Sequence, residues 1–443
     1  MPGYDVVVIG SGTAAQNVAP RCAQEGLRVA VVDRLAYGGT CGQRGCDPKK
    51  VLLAAAEAVS RARGLDGRGL TGPPTIDWPA LIARKRTFTE PLPERIEGWM
   101  RDAGAETLHG TARLRSAHEV QVDGRTLEAA EVVVASGARP MDLGIPGQEL
   151  VTTSTGFLEL GDLPPRVVFI GGGYITFEFA WLARMAGAAV TILHRSAHVL
   201  KGFDKQLADA LVERYRSLGI DVLTEAPVNE VTRRGDELVV AHETGEVAAD
   251  LVVHGAGRVA DLDDLGLESA GIAAGPRGVR VDEHLRSVDD AHVWAAGDAA
   301  DKGLPLTPVA SKEGKVVAAG ILGEDAVYDG RAVPSVCFSD PPLAAVGMST
   351  AEAQGRGDAV HVERADASEW FSQRRVGQTH AGMAVVTDAA SGRLLGAHLL
   401  GVNADEVVNV LALAVRHGLT AADLTAMTWS YPTATSDLPY VLG

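Results

Sequence analysis

The sequence predicts an α/β protein with two dinucleotide-binding, Rossmann-like domains followed by an α+β C-terminal domain. Three observations carry the prediction: a strand–glycine–helix–strand unit at the N-terminus, a second such unit from Arg166, and a change of character after Arg331. In the first unit, "DVVVIGSGTAAQNVAPRCAQEGLRVAVVD", the run from Asp5 to Ile9 suits a buried parallel strand. Gly10-x-Gly12 follows, then a helical stretch, then a strand from Leu27 to Val32 that ends at Asp33. Gly10 permits a tight turn, and Gly12 lets backbone N–H groups approach a pyrophosphate at the helix N-terminus. An acid about twenty residues beyond the glycines, poised to accept from a ribose, turns a weak pattern into a specific one.

The second unit reads "RVVFIGGGYITFEFAWLARMAGAAVTILHR". Gly171-x-Gly173 opens its helix, and Ala189 to Leu193 is its second strand. The position matching Asp33 is His194, followed by Arg195, with Lys201 as a further cation. Exchanging an acid for cations predicts a 2′-phosphate, hence NADPH over NADH. "VWAAGD" ends a strand at Asp298, where a carboxylate meets a cofactor hydroxyl, and "EVVVASGARP" is another strand with a small-residue turn. Beyond Arg331, alternating strands run to "LLGAHLLG" and a helix follows in "ADEVVNVLALAVRHGL", a candidate for oligomerisation.

At 443 residues the chain exceeds a single core. Its net charge of −16, spread without an acidic tail, argues against nucleic acid or anionic membrane as a charge-driven partner. No apolar run approaches the ~18 residues of a membrane span. The N-terminus lacks a basic leader, so a cytoplasmic location is expected. Four cysteines do not make a secreted disulfide scaffold. Cys41-x4-Cys46 has no second pair, and His194 and His198 have no obvious carboxylate ligand, so no metal site is expected. A redox couple is the favoured reading of Cys41 and Cys46.

With "GGTCGQRGCDPKK" placed between the two units, the chain resembles, nearly end to end, the class I pyridine nucleotide-disulfide oxidoreductases. These include glutathione reductase, dihydrolipoamide dehydrogenase and mercuric reductase. The resemblance implies an FAD domain (1–150), an NADP domain (151–258), a central region completing the FAD site (259–330) and an interface domain (331–443). It further implies a homodimer with its active site shared across the interface. Cys46 corresponds to the sulfur nearest the flavin and Cys41 to the interchange thiol. Lys49 matches the lysine beside the flavin, Glu178 its carboxylate partner, and Tyr174 a gate that swings when NADPH binds. Gly10, Gly12, Asp33, Gly39, Thr40, Ser136, Gly137, Asp298 and Thr307 fall on FAD positions. Gly171, Gly173, Tyr174, Arg195, Lys201 and Arg258 fall on NADP positions. The activity implied passes electrons from NADPH through flavin to the Cys41–Cys46 disulfide and on to a small disulfide.

Departures from the family pattern concern the substrate. The chain ends "YPTATSDLPYVLG", so Tyr431 stands where disulfide-reducing members carry histidine. Ser436 takes the glutamate position, and Asp437 follows it. Tyrosine, with a reference pKa of about 10, is a poor base at neutral pH. Pro20 replaces an arginine that serves glutathione, so a disulfide other than glutathione is expected. A metal ion or quinone is the alternative acceptor, ahead of a carboxylating role or a redox sensor. Asp47 is expected to raise the pKa of Cys46, and Cys22 and Cys337 to be buried small hydrophobes.

Overall fold

A computed structural model describes residues 3–443. The chain folds into two compact units, each assembled from three separate stretches. The first comprises Met1–Val51, Ala83–Met141 and Gly257–Gly330. Its sheet is built on β1 (Tyr4–Ile9), β2 (Val29–Asp33), β3 (Glu106–His109), β4 (Ala112–Ser116), β5 (Glu119–Val122) and β6 (Arg125–Val134), in the order β3-β2-β1-β6-β5-β4. The first four in that order are parallel, β5 pairs antiparallel with the first half of β6, and β4 pairs antiparallel with β5. Val293–Ala295 pairs parallel with the end of β6.

The apolar run of β1 is continuous because both faces of the sheet are covered. Val7, Ile9, Val32, Val132 and Val134 enter one core, while Val6, Val8, Val29, Val31 and Val133 enter the other. On the second face lie α1 (Thr13–Gln24) and the helix Thr307–Ile321. They pack so closely that a Cβ on Gly314 would sit 2.4 Å from the carbonyl oxygen of Ala14. Parallel register (Ile9 opposite Val32 and Val134) brings the strand ends to one level. Asp33 and the 135–137 turn therefore flank the Gly10 turn, where an open sheet binds its ligand.

The second unit comprises Leu52–Ile82, Asp142–Ala256 and Arg331–Gly443. Its parallel sheet runs Ile220–Leu223, Ala189–Leu193, Arg166–Ile170, Leu251–His254, Thr152–Thr153. Helix Tyr174–Met185 packs Phe177, Phe179 and Trp181 into a core with Phe157 and Phe169. The C-terminal part is a five-stranded antiparallel sheet covered by helix Ala404–His417. Short helices Thr350–Gln354 and Phe371–Arg374 lie between its strands.

Candidate active site

At the end of β1 the chain turns at Gly10 with φ of +104°, and a Cβ there would lie 2.3 Å from the carbonyl oxygen of Ala135. Only glycine meets both demands. Gly171 repeats the arrangement in the second unit, against Gly255. Ser11 follows Gly10 and donates from both its amide and its hydroxyl to Asp33 Oδ2, at 2.9 and 2.6 Å. Leu35 N donates to Oδ1 at 2.8 Å, and Gly38 N closes the loop by donating to Ser11 Oγ. Asp33 is thus aimed from the tip of β2 with acceptor capacity left for a ribose hydroxyl.

Idle polar groups line the same rim. Ser136 Oγ is buried without a partner among the described residues. Burial raises the pKa of Asp298, and no hydrogen bond reaches its side chain among the described residues. Glu313, buried beneath it, accepts from Gly297 N at 2.7 Å and holds the 297–298 turn in place. Its burial and the nearby Asp298 push its pKa up to about 7. A cradle with no room for a Cβ at Gly10, an unpartnered hydroxyl and an unbonded carboxylate fits a phosphate- and hydroxyl-rich ligand such as FAD. Arg44 adds charge: burial is the main cause that lowers its pKa, and Arg258 and Arg34 lie close enough to add repulsion. Unlike the acid at position 33, Ser11, Arg44 and Glu313 left no spacing signal in the sequence.

The two cysteines lie on consecutive helices. Cys41 belongs to α2 (Gly39–Arg44), Gly45 breaks the chain, and Cys46 opens α3 (Cys46–Gly64). A Cβ on Gly45 would meet the Thr40 carbonyl oxygen at 2.8 Å and Cys41 Cα at 3.2 Å, so the break brings the sulfur-bearing residues together. Cys46 is exposed, Cys41 half-buried, and their thiols share a hydrogen bond. That bond is the main cause that lowers the Cys46 pKa to about 6, with help from Thr307, Lys49 and Lys50. Cys46 Sγ lies 3.7 Å from Thr307 Oγ1, at the start of helix Thr307–Ile321. The same shared bond pushes Cys41 well above the ordinary thiol range. Asp47 acts on Cys41, raising it further, whereas Cys46 was the residue expected to feel it. The pair is a thiolate steadied by a thiol and by helix N-termini. Lys49 is 7 % exposed. Glu178, in the second unit, is buried and accepts from Phe338 N at 3.1 Å. Cys22 and Cys337 are fully buried, as expected.

In the second unit Tyr174 is the first residue of its helix and remains 40 % exposed. The His194 ring lies against Gly172, where a Cβ would meet it at 2.7 Å, and Nε2 pairs with the carbonyl oxygen of His198 at 3.0 Å. Burial is the main cause that lowers its pKa, with Lys201 and Arg195 adding repulsion. Arg195 and Lys201 are themselves exposed. Arg258 falls in the first unit, on a short strand paired with Ala138–Pro140, and donates to the Ala138 carbonyl oxygen. Its charge acts on Arg44 and on Asp298.

Near the C-terminus Tyr431 is 75 % exposed. Ser436 donates its hydroxyl to the Thr433 carbonyl oxygen at 2.6 Å and so is committed to the turn. Asp437 turns inward, 5 % exposed, and accepts from Ser372 Oγ.

Comparison with known proteins accords with this geometry. Residues 4–314 match the pyridine nucleotide-disulphide oxidoreductase family, and residues 333–440 match the dimerisation domain of the same family. Dihydrolipoyl dehydrogenase of Chlamydia pneumoniae is 31 % identical over 436 residues, covering 97 % of this chain and 94 % of the relative. Glutathione reductase of Burkholderia cepacia is 32 % identical over 434 residues, covering 97 % and 96 %. The solved structure of the HOCl-induced flavoprotein disulfide reductase RclA from Escherichia coli superposes with a TM-score of 0.89 at 27 % identity, covering 99 % of each chain. A Cu(II) complex of a cysteine-to-serine mutant of RclA gives 0.90 at 28 %, covering 100 % of this chain and 99 % of the other. This chain, with its FAD cradle, its dithiol and its dimerisation domain, belongs to the class I pyridine nucleotide-disulfide oxidoreductases, a family of enzymes.

Proposed function

We propose that the protein is an NADPH-dependent, FAD-containing reductase that works through Cys41 and Cys46 on a small disulfide other than glutathione. The unequal thiol pair is the observation that carries this reading, because a structural pair gains nothing from a thiolate at neutral pH. His194 at the position of the acid, with Arg195 and Lys201 exposed after it, supports NADPH. FAD, bound along Gly10, Asp33 and Asp298, would supply the two-electron carrier between nicotinamide and sulfur. Cys41 passes its proton through the shared hydrogen bond to the Cys46 thiolate and attacks one substrate sulfur, and the leaving thiolate takes up that proton as the first thiol departs, which returns Cys46 to its thiolate form. Cys46 attacks the mixed disulfide at Cys41, releasing the second thiol and closing the Cys41–Cys46 bond. Lys49 would offset negative charge on a reduced flavin, the role its position carries in the family. The four-part division at 150, 258 and 330, the homodimer with a shared site and a cytoplasmic, reducing location complete this reading.

A metal ion is the second candidate acceptor, favoured by the solved Cu(II) complexes of RclA. A soft dithiolate suits a reducible, thiophilic ion. Anaerobic titration with NADPH tests the common step. The reduced protein is expected to develop a long-wavelength thiolate–flavin absorption band, and Cys46→Ser to lack it. A wild-type protein without that band overturns the dithiol route. NADPH oxidation driven by Cu(II) and not by small disulfides would select the metal reading.

A further inference from the structure

The segment that carries Arg195 and Lys201 runs from the end of strand Ala189–Leu193 to Asp204, in the second unit. At its start His194 N donates to the Leu223 carbonyl oxygen at 2.9 Å, and Glu225 N donates to that of Ser196 at 3.3 Å. At its middle Leu200 is buried and adopts a φ of +49°, in the left-handed region that leucine avoids. Its amide donates to the Gly172 carbonyl oxygen at 2.8 Å, which sets the neighbouring Lys201 beside the Gly171–Gly173 turn. A bulky residue stays in that conformation only where its surroundings leave no alternative.

At its end the constraint comes from the C-terminal sheet of the same unit. Asp204 caps helix Lys205–Ser217, accepting from Leu207 N at 3.0 Å. The same carboxylate accepts from Arg364 Nη1 and Nη2 at 3.1 and 2.8 Å and from Thr350 Oγ1 at 2.6 Å. Arg364 lies on strand Val360–Asp366, and Thr350 opens helix Thr350–Gln354. The Asp204 side chain is 1 % exposed. Burial alone would raise its pKa, but these donors bring it down to about 2, so it stays charged at any working pH. Leu207 packs over Gly382, in the strand beside Arg364, so closely that a Cβ there would meet Leu207 Cδ2 at 2.8 Å. Capping needs only the Leu207 bond. The fork to Arg364 adds little stability over apolar packing, but it admits one geometry.

We propose that Asp204 and Arg364 are positioning residues for cofactor choice. Their bidentate pair, reinforced by Thr350, locks the exit of the 195–203 segment so that Arg195 and Lys201 meet the 2′-phosphate of NADPH together. The inference rests on the NADPH reading. Two long, exposed side chains lose rotamer freedom when they close on a phosphate, and a mobile backbone beneath them would add its own loss. A segment pinned at Leu200 and Asp204 avoids that second loss. The dimerisation domain, through Arg364 and Thr350, thereby sets a property of the dinucleotide site.

The test uses full-length, flavin-loaded protein and two nucleotides that differ in one phosphate, 2′,5′-ADP and 5′-AMP. Calorimetry is expected to show the wild type binding 2′,5′-ADP roughly tenfold more tightly. Asp204→Asn combined with Arg364→Met keeps a good helix cap and leaves no unpaired buried charge. In that double variant the preference should fall to about twofold or less, while 5′-AMP binding changes by less than about twofold. With ferricyanide as acceptor, KM for NADPH should rise in proportion, and kcat and KM for NADH should hold. A general loosening of the unit would not produce that split. Arg364→Lys, which keeps the charge and loses the fork, should give an intermediate preference, and it carries the test if the double variant does not fold. A wild-type preference retained in the variant that folds, or equal losses for both nucleotides, would overturn the proposal. A wild type that binds both nucleotides equally removes the NADPH reading itself, and the proposal with it.

Discussion

Cys46 and Cys41 are five positions apart and chemically opposite. Cys46 sits at a helix start near Lys49, Lys50 and Thr307, so its thiolate is favoured, while Cys41 keeps its proton in the hydrogen bond between them. A thiol depressed to about 6 is ionised above that pH and protonated below it. The ultraviolet thiolate absorbance of the reduced protein should therefore titrate with its first midpoint near pH 6, far below an ordinary thiol at about 8.5. Cys46→Ser should abolish that first step. A single transition in the ordinary range would show that the shared hydrogen bond does not hold. Glycine spacing and the terminal acid made the dinucleotide turns legible in the sequence. The direction in which Asp47 acts was not, because it depends on where a side chain points after the Gly45 break. Ser11 was hidden for the same reason. Its value lies in a hydrogen bond across 22 positions to Asp33, and serine at that place has no periodic signature.

At the scale of elements, the proposed preference for NADPH rests on the end of strand Ala189–Leu193. In the first unit the matching strand, β2, ends in an acid that Ser11 and Leu35 aim. Here it ends in His194, which is folded back against Gly172, leaving Arg195 and Lys201 in solvent. In the proposed NADPH reading the two exposed cations meet the 2′-phosphate, and a guanidinium does so bidentately. Arg195→Ala should weaken NADPH binding by roughly tenfold or more and NADH by less than about twofold. Fluorescence titration with each dinucleotide reads both, and equal losses would remove the NADPH assignment. Both strand–helix–strand units were readable because a buried parallel strand is apolar throughout. The two-helix form of the cysteine segment was not, because the separate α2 arises from close backbone approach at Gly45.

For the whole molecule, the dimerisation domain at residues 333–440 carries apolar side chains that its own core does not use. Helix Ala404–His417 buries Val407, Val408 and Leu411 against its sheet but leaves Leu413 58 % exposed, and Met427 is 50 % exposed nearby in sequence. Leucine held in water at a helix midpoint is covered at little cost by a second copy. A glutamate there would have to be buried as a charge if the dimer formed, so Leu413→Glu is expected to yield monomer by light scattering. The Gly10 turn, Asp33, Ser136 and Asp298 all come from the first unit of one chain, so the monomer should keep its flavin, read as the ratio of flavin to protein absorbance. Turnover should nevertheless be lost, because Tyr431 and its neighbours act from the partner in the shared-site reading. A variant that remains dimeric removes Leu413 from the interface. A monomer with full turnover would place the complete active site within one chain.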